Sequence, residues 1–594
     1  MRRILLVIIA LAVAAFAGWY YWKVSLQISS APVSALLPQR TIFLAHLPDF
    51  NRTRDDWHHC DIYQLYREPA VQDFLSPGIA GLSKLLKTNA AAQTLQEIEQ
   101  LDPKQAFLAL TAMDNNNPRF VGGFRFRGSH EDRERVINRW RSTLLQRTPG
   151  AKRENRQYQG HEIELITAAP FTLATTYDGP WFFAATDLTE LEALLDRADH
   201  RAKNPEDTLD KDAAYGAAMA HRPSNYAAFF YLQPKIFSER LAALRAAVRS
   251  NPAPGESTML EKMRCIGAST RFENGKIYDV FFLGMPKLEH NITLTRSSLS
   301  LGTKETVFYL SMLLNLGERI DTLNQAAAFA GAKIFQALTD SGVTADDWKA
   351  AFGLELGSLG DWPSGAQWPS LLLTLPVMDP AKAGKIVETL IGVDENATWT
   401  QTEKDSIRYF SKQSVASLVA ITPTIGLSDQ ILIAGFNPVS VEEAMKRRGA
   451  SSSELSSSQT YKAASRLLPA PTNFFAYVDM AQLYARLDAS LRPMLLMAAA
   501  FMPAVGGSVD ATKLPSAEII TKHLSPIVSS QRYDRDGYVA ESVGPVTLDQ
   551  SAIGLAILSS LGGGARQKAG AAVTGFGASL TATPQPTASP SPTP

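Results

Sequence analysis

The chain has 594 residues, 45% hydrophobic and 20% charged, with 58 Lys plus Arg against 58 Asp plus Glu. That length exceeds what one hydrophobic core serves, so an ordinary globular composition is shared among several domains. The balanced charge offers no basic field for non-specific nucleic-acid binding and no acidic tail, and nucleic acid is excluded as a partner.

The chain opens with MRRILLVIIALAVAAFAGWYYWK. Arg2 and Arg3 precede an uncharged run from Ile4 to Trp22 of 19 residues. As a helix that run spans about 28 Å, enough to cross a bilayer. Trp19, Tyr20, Tyr21 and Trp22 stand at its far end, where aromatic rings favour the headgroup level. The leading positive charge places the start in the cytoplasm and the rest outside it. The expectation is a single-pass inner-membrane protein with its bulk in the periplasm. The alternative is a signal peptide cleaved near Ala17, at Ala15-Phe16-Ala17, which leaves a secreted or periplasmic protein.

From Ala35 onward one pattern occurs twice. TIFLAHLPDF, after Pro38, reads as a strand by its β-branched and aromatic content. TVFYLSMLLN matches it, with Thr306 on Thr41 and Phe308 on Phe43. A helical stretch follows in each copy, from Ile62 and from Ile320. In the first copy QAFLALTAMD, a turn at Asp114 to Pro118 and a return strand VGGFRFR lead to a helix capped by Ser129, with Asp132 approximating a capping box. In the second, PSLLLTLPVM leads to Asp379 and Pro380, an N-cap and first helical residue. No return strand is evident there.

Next, a strand, turn, strand and helix align without gaps, with Asp187 and Asn437 as N-caps and Glu190 placed for a capping box. Tyr-led helices then precede NYAAFFYL and NFFAYVDM, aligned on Asn225 and Asn473. Each copy closes with a hairpin, turning at Asn274-Gly275 and at Asp536-Gly537, both type I′ signals. Ser269 matches Ser530, and Arg271 matches Arg532.

Short turns force antiparallel pairing, so the fold class is α+β. Two tandem copies of an antiparallel sheet carry helices mainly on one face, behind one N-terminal transmembrane helix. The boundaries are 1–34 for the cytoplasmic start, anchor and short linker, 35–290 for the first repeat, 291–303 for a linker and 304–548 for the second repeat. Residues 549–578 form a short apolar helix and a Gly-rich segment. Residues 579–594 carry five prolines and, after Leu580, no large apolar side chain. They form a disordered tail.

Few residues suggest chemistry. Asp55-Asp56-Trp57-His58-His59-Cys60-Asp61 holds ligand types for zinc or copper, with His58, His59 and Cys60 as weak candidates. Adjacent residues converge poorly on one ion, and acidic residues also suit a helix start, so no metal and no cofactor is expected. Cys60 and Cys265 both fall in the first copy, in a compartment that permits a disulfide. Whether they lie close enough to bond stays open at this point. Asp114 to Pro118 has calcium-ligand types but reads as a turn. Arg271 and Arg532 suggest anion binding between copies, or outward strand residues beside an inward aromatic. No phosphate loop, nucleophile elbow or zincin motif is present.

ALLPQRTIFLAHLPDF followed by YQLYREPAVQDFL resembles the opening of a bacterial family of membrane-anchored envelope proteins known only as a domain of unknown function (domain of unknown function 3352-like). Its motifs concern packing, so the resemblance implies an anchored envelope protein and carries over no active site. SMLLN replaces AHLPD in the second copy. The leading expectation is a non-enzymatic binding or scaffold protein of the bacterial cell envelope, its partner an envelope protein or ligand held between the copies. An extracytoplasmic hydrolase with a site assembled from distant residues is the alternative, and a structural spacer a third. A polar pocket with His beside Ser, Cys or Asp favours the hydrolase. A broad exposed apolar patch favours binding.

Overall fold

The computed structural model describes residues 31–76, 103–114, 117–126, 130–148, 150–168, 171–204, 206–237, 239, 262–287, 292–313, 342–392, 398–412, 421–501, 511–548 and 550. The expected anchor at Ile4 to Trp22, the cleavage alternative near Ala17, Ser129 and residues 551–594 lie outside them. Among the described residues no helix is long and apolar enough to cross a membrane.

The fold is α+β, built on a large antiparallel sheet. Its first ten strands are β1 (Phe43–Leu47), β2 (Pro103–Asp114), β3 (Asn117–Phe126), β4 (Lys152–Tyr158), β5 (His161–Ala168), β6 (Phe171–Asp178), β7 (Trp181–Ala185), β8 (Ala228–Leu232), β9 (Cys265–Glu273) and β10 (Lys276–Gly284). The second ten are β11 (Thr306–Leu313), β12 (Glu355–Asp361), β13 (Ser370–Pro376), β14 (Trp399–Lys404), β15 (Ile407–Lys412), β16 (Thr424–Leu427), β17 (Ile431–Gly435), β18 (Phe474–Val478), β19 (Ile527–Asp534) and β20 (Gly537–Gly544).

Across the first half the neighbour order is β4-β5-β6-β7-β3-β2-β1-β8-β9-β10. Across the second it is β14-β15-β16-β17-β13-β12-β11-β18-β19-β20, the same order. The halves meet where β10 pairs antiparallel with β20, from Ile277 opposite Gly544 to Leu283 opposite Tyr538. The outer edges, β4 (KRENRQY) and β14 (WTQTEK), are polar and exposed, which protects an open edge from further pairing. The inner edges, IYDVFFLG and GYVAESVG, are largely apolar, and each is covered by the other.

Four expectations change. The second copy does have a return strand: it is β13, the stretch matched above to the first strand. The unrecognised partner is β12, equivalent to β2, whose sequence ELGSLGD hides it. Gly357 and Gly360 weaken the strand pattern, yet each is required. A Cβ at Gly357 would strike the hydroxyls of Ser298 and Thr374, and one at Gly360 the Phe308 ring.

The match of Asn225 with Asn473 is out of step by two residues. Tyr231 lies opposite Leu44 as Tyr477 lies opposite Tyr309, which places Ala227 on Asn473. The last hairpin is out by one: Asp534 pairs with Gly537, so Arg535 and Asp536 form its loop. In the first half the loop is Asn274-Gly275, with both φ angles positive as a type I′ turn requires.

Finally, helices cover both faces. They include α1 (His130–Arg147), α2 (Leu188–Ala198), α3 (Ala213–Ala220), α4 (Ala345–Ala351), α5 (Pro380–Gly392) and α6 (Pro438–Arg447). Neighbouring strand residues point to opposite faces. Phe183 belongs to the core under α2 and α3, while Phe182 packs with Val136 and Ile137 of α1. In the second half Ile433 packs with Val441 and Met445 of α6, and Leu432 with the α4–α5 side.

The caps expected at Asp187 and Asn437 form: Asp187 accepts from the Thr189 and Glu190 amides, and Asn437 from the Val439 amide. Glu190 does not complete a capping box. Its buried carboxylate turns to Arg40, 2.6 Å away. Each core centres on three rings in equivalent places. Tyr215 meets Tyr231 at 5.2 Å and Phe229 at 6.3 Å. Tyr461 meets Tyr477 at 5.1 Å and Phe475 at 6.1 Å. Residues 294–301, inside the expected linker, pack into the second core through Leu294 and Leu301.

Two glycines test this packing. A Cβ at Gly537 would collide with the Leu283 carbonyl across the seam. Gly537→Ala is expected to cost about 1–3 kcal/mol in chemical denaturation. Gly216, in α3, has nothing within 4 Å of its Cβ position. Gly216→Ala should therefore stabilise by roughly 0.5–1 kcal/mol. Equal effects of the two substitutions would contradict the seam geometry.

Candidate functional site

The face opposite α2 and α3 carries an apolar trough at the centre of the first half. Strand alternation and register build it. Phe43 and Ala45 of β1 stand beside Leu232 and Phe230 of β8. These stand beside Ile266 and Ala268 of β9, and those beside Leu283 and Phe281 of β10. The resulting groove measures about 410 Å³, walled by Phe43, Phe230, Leu232, Ile266, Ala268 and Phe281. Phe230 is 44% exposed, and Leu108, on the same face, 47%. In the second half Leu371, Leu373 and Phe436 are exposed as well, six or more strands away from β10. Large apolar side chains at strand centres are normally covered, so a contiguous exposed set marks a contact surface.

One end of the groove is polar. Thr270, Asp279 and Gln550 meet there. Asp279 is buried, accepting from the Thr270 hydroxyl at 2.6 Å and the Thr547 hydroxyl at 2.5 Å. The Gln550 amide donates to the Thr547 hydroxyl at 3.2 Å. The chain beyond β20 is thereby fastened back onto β9 and β10. Burial raises the Asp279 pKa above the ordinary aspartate value, and the hydroxyl donors oppose that rise.

The residues singled out by sequence do not converge. His59 Nδ1 lies 2.6 Å from the Asp55 carbonyl, His58 packs on the Tyr63 ring, and the Cys60 thiol turns to the Asp56 carbonyl. Cys60 and Cys265 are free and buried, which corrects the disulfide alternative. Cys60 adjoins Asp61, whose amide bonds to Gly275 at the turn beyond β9. Cys265 begins β9 at its opposite end. The strand length between them is roughly 26 Å at 3.3 Å per residue, far beyond disulfide reach. Burial pushes both thiols up to about 11, which disfavours the reactive thiolate. Arg271 pairs with Glu273 and lies over Tyr278, and Arg532 pairs with Glu541, so each serves its own hairpin.

Two clusters escape sequence reasoning. His46 joins Tyr226 through Nδ1 at 2.7 Å and Gln105 through Nε2 at 2.8 Å. Burial, aided by Arg222, lowers its pKa to about 4. The neutral ring fits partners that need one donor and one acceptor nitrogen. His161, Asp178 and Asp199 bring their ligand atoms within 4.8 Å of one another. Each stands at the end of a different element, and no local spacing links them. Among the described residues, no hydrogen bond joins a histidine to a serine or cysteine side chain.

No family model matches the chain, and no curated protein matches it. Among solved structures, crystal form I of TP0453 is similar over 44% of this chain and 82% of that one, at 8% identity and a TM-score of 0.24. Crystal form III gives 8% and 0.23, and form IV 7% and 0.23.

The Asp279 site has a defined pH signature. Its folded pKa is raised, so the stability it contributes is complete below the unfolded value near 3.9. That contribution is lost as pH rises through the folded value. Asp279→Asn keeps an acceptor and carries no charge. Its stability relative to wild type is expected to increase as pH rises above the unfolded aspartate value of about 3.9. A difference independent of pH, measured by denaturation across that range, would contradict a buried raised carboxylate.

Proposed function

We propose that this chain is a non-enzymatic binding protein of the bacterial cell envelope, duplicated in tandem and held by Ile4 to Trp22 with its body outside the cytoplasm. Its ligand is a small apolar molecule of acyl-chain character that lies along the sheet in the groove beside the seam. The observation that carries this reading is the groove itself. Its walls are Phe, Leu, Ile and Ala side chains, and its polar groups gather at one end, around Asp279. A volume of about 410 Å³ suits a small molecule, since ligand pockets run from roughly 300 to 1,000 Å³. A folded protein partner calls for a far broader contact. Among the described residues lining the groove, Asp279 and Tyr231 are the ionisable side chains, and none is a cation that would pair with an anionic headgroup.

Two observations favour binding over hydrolysis. The described histidines make no hydrogen bond to a serine or cysteine side chain, the first requirement of an activated nucleophile. Phe230 and Leu108 stand exposed on the groove's own face, which suits a receiving surface.

A fluorescent long-chain alcohol titrated into the detergent-solubilised full chain is expected to bind saturably, one per chain. Phe230→Asp should weaken it at least about tenfold, a loss of about 1.4 kcal/mol. Leu373→Asp, on the second half, should leave it unchanged. Unsaturable uptake, or equal weakening by both variants, would remove the groove as the binding site.

A further inference from the structure

His161, Asp178 and Asp199 lie apart from the groove, on the face covered by α2. His161 opens β5 after a turn whose residues Gln159 and Gly160 both have positive φ. Asp178 closes β6, and the β5–β6 register carries His161 directly opposite it. Asp199 is the C-cap of α2 and comes down onto the same spot. Three elements thus deliver one imidazole and two carboxylates to a single point, all partly buried.

The contacts present leave this group incompletely satisfied. His161 Nε2 lies 2.8 Å from Asp199 Oδ2, and Arg201 pairs with the same oxygen. Arg201 also reaches Asp196 at 3.4 Å. Among the described residues Asp178 has no hydrogen-bond donor or cation within bonding distance.

The second half supplies an internal control. The equivalent positions are Ile407, opening β15, Ser428, just past β16, and Gly449, just past α6. Ser428 there closes its own turn, its hydroxyl donating to the Ile431 carbonyl at 3.0 Å. The same strand order and helix are therefore built without these three groups. Fold stability does not demand the polar trio in the first half.

We propose that His161, Asp178 and Asp199 form a binding site for one divalent zinc ion, with water in the remaining position. One imidazole and two carboxylates suit zinc, at about 2.0–2.1 Å for nitrogen and 2.0–2.2 Å for oxygen. A tetrahedral site places ligand atoms about 3.3 Å apart, so the three atoms must draw in modestly from their present spread. Zinc replaces the second carboxylate's missing counter-charge. Arg201 keeps its contact with Asp196 when the ion takes Asp199 Oδ2. A closed structural zinc uses four protein ligands, so this site remains open to solvent on one side.

The test is equilibrium dialysis of the chelator-treated full chain against zinc chloride, with melting curves in parallel. One zinc per chain is expected. His161→Ala and Asp178→Asn should each weaken it at least tenfold, with zinc-free melting of Asp178→Asn matching wild type. Arg201→Ala should bind as tightly or more tightly, because a competing cation is removed. Zinc should raise the melting point of wild type and not of Asp178→Asn. Absence of stoichiometric zinc, or zinc retained equally by Asp178→Asn, would overturn the proposal.

Discussion

The antiparallel pairing of β10 with β20 is the interaction on which the rest depends. Each half ends in a hairpin whose last strand is apolar, and alone it would present a row of unpaired amides and carbonyls. Pairing Ile277 to Leu283 with Tyr538 to Gly544 removes both edges at once and makes a single sheet. Two equivalent strands joined antiparallel relate the halves by a local twofold. Contacts across the junction, such as the Glu68–Lys522 ion pair and the hydrogen bond between His523 and Glu68, reinforce this contact. They sit near solvent, where such pairs contribute little. Ladder hydrogen bonds and the packing of the seam strands therefore carry the union. The groove follows from it, since β9 and β10 supply its floor and the chain leaving β20 supplies its polar end.

The halves share a frame and differ in their polar contents. Caps, strand order and the tyrosine-centred cores coincide. Yet where the first half places Gln105 beside His46, the second places Glu355 beside Ser311. Glu355 accepts from the Thr295, Arg296 and Ser297 amides, and from the hydroxyls of Thr295 and Ser311. It fastens the start of the second half to its sheet. His46 instead joins the sheet to Tyr226 at the start of β8. Divergence of this kind, on a backbone that tolerates either filling, is how one half acquires a site that the other lacks.

The sequence made the elements legible where local chemistry specifies them. Asp187 and Asn437 satisfy helix-start amides, and Asn274-Gly275 adopts the positive φ that its turn needs. It misled where tertiary contact overrides local pattern. β12 is a central strand despite two glycines, because Ser298 and Phe308 occupy the space their side chains would fill. Alignment on Asn225 and Asn473 followed a conspicuous residue, whereas the buried rings of Tyr231 and Tyr477 set the true register. The Cys60–Cys265 alternative fell to strand length alone. Neither the groove nor the His161 cluster has a sequence signature. The groove depends on which strands become neighbours, and the cluster gathers residues from three element ends.

The central claim is that one continuous sheet runs through the seam. Hydrogen exchange of the full chain, read at individual strands, tests it most directly. Amides of β10 and β20 should exchange as slowly as those of β9 and β19, their partners inside each half. Exchange as fast as at the outer strands β4 and β14 would show two separate sheets and contradict the account.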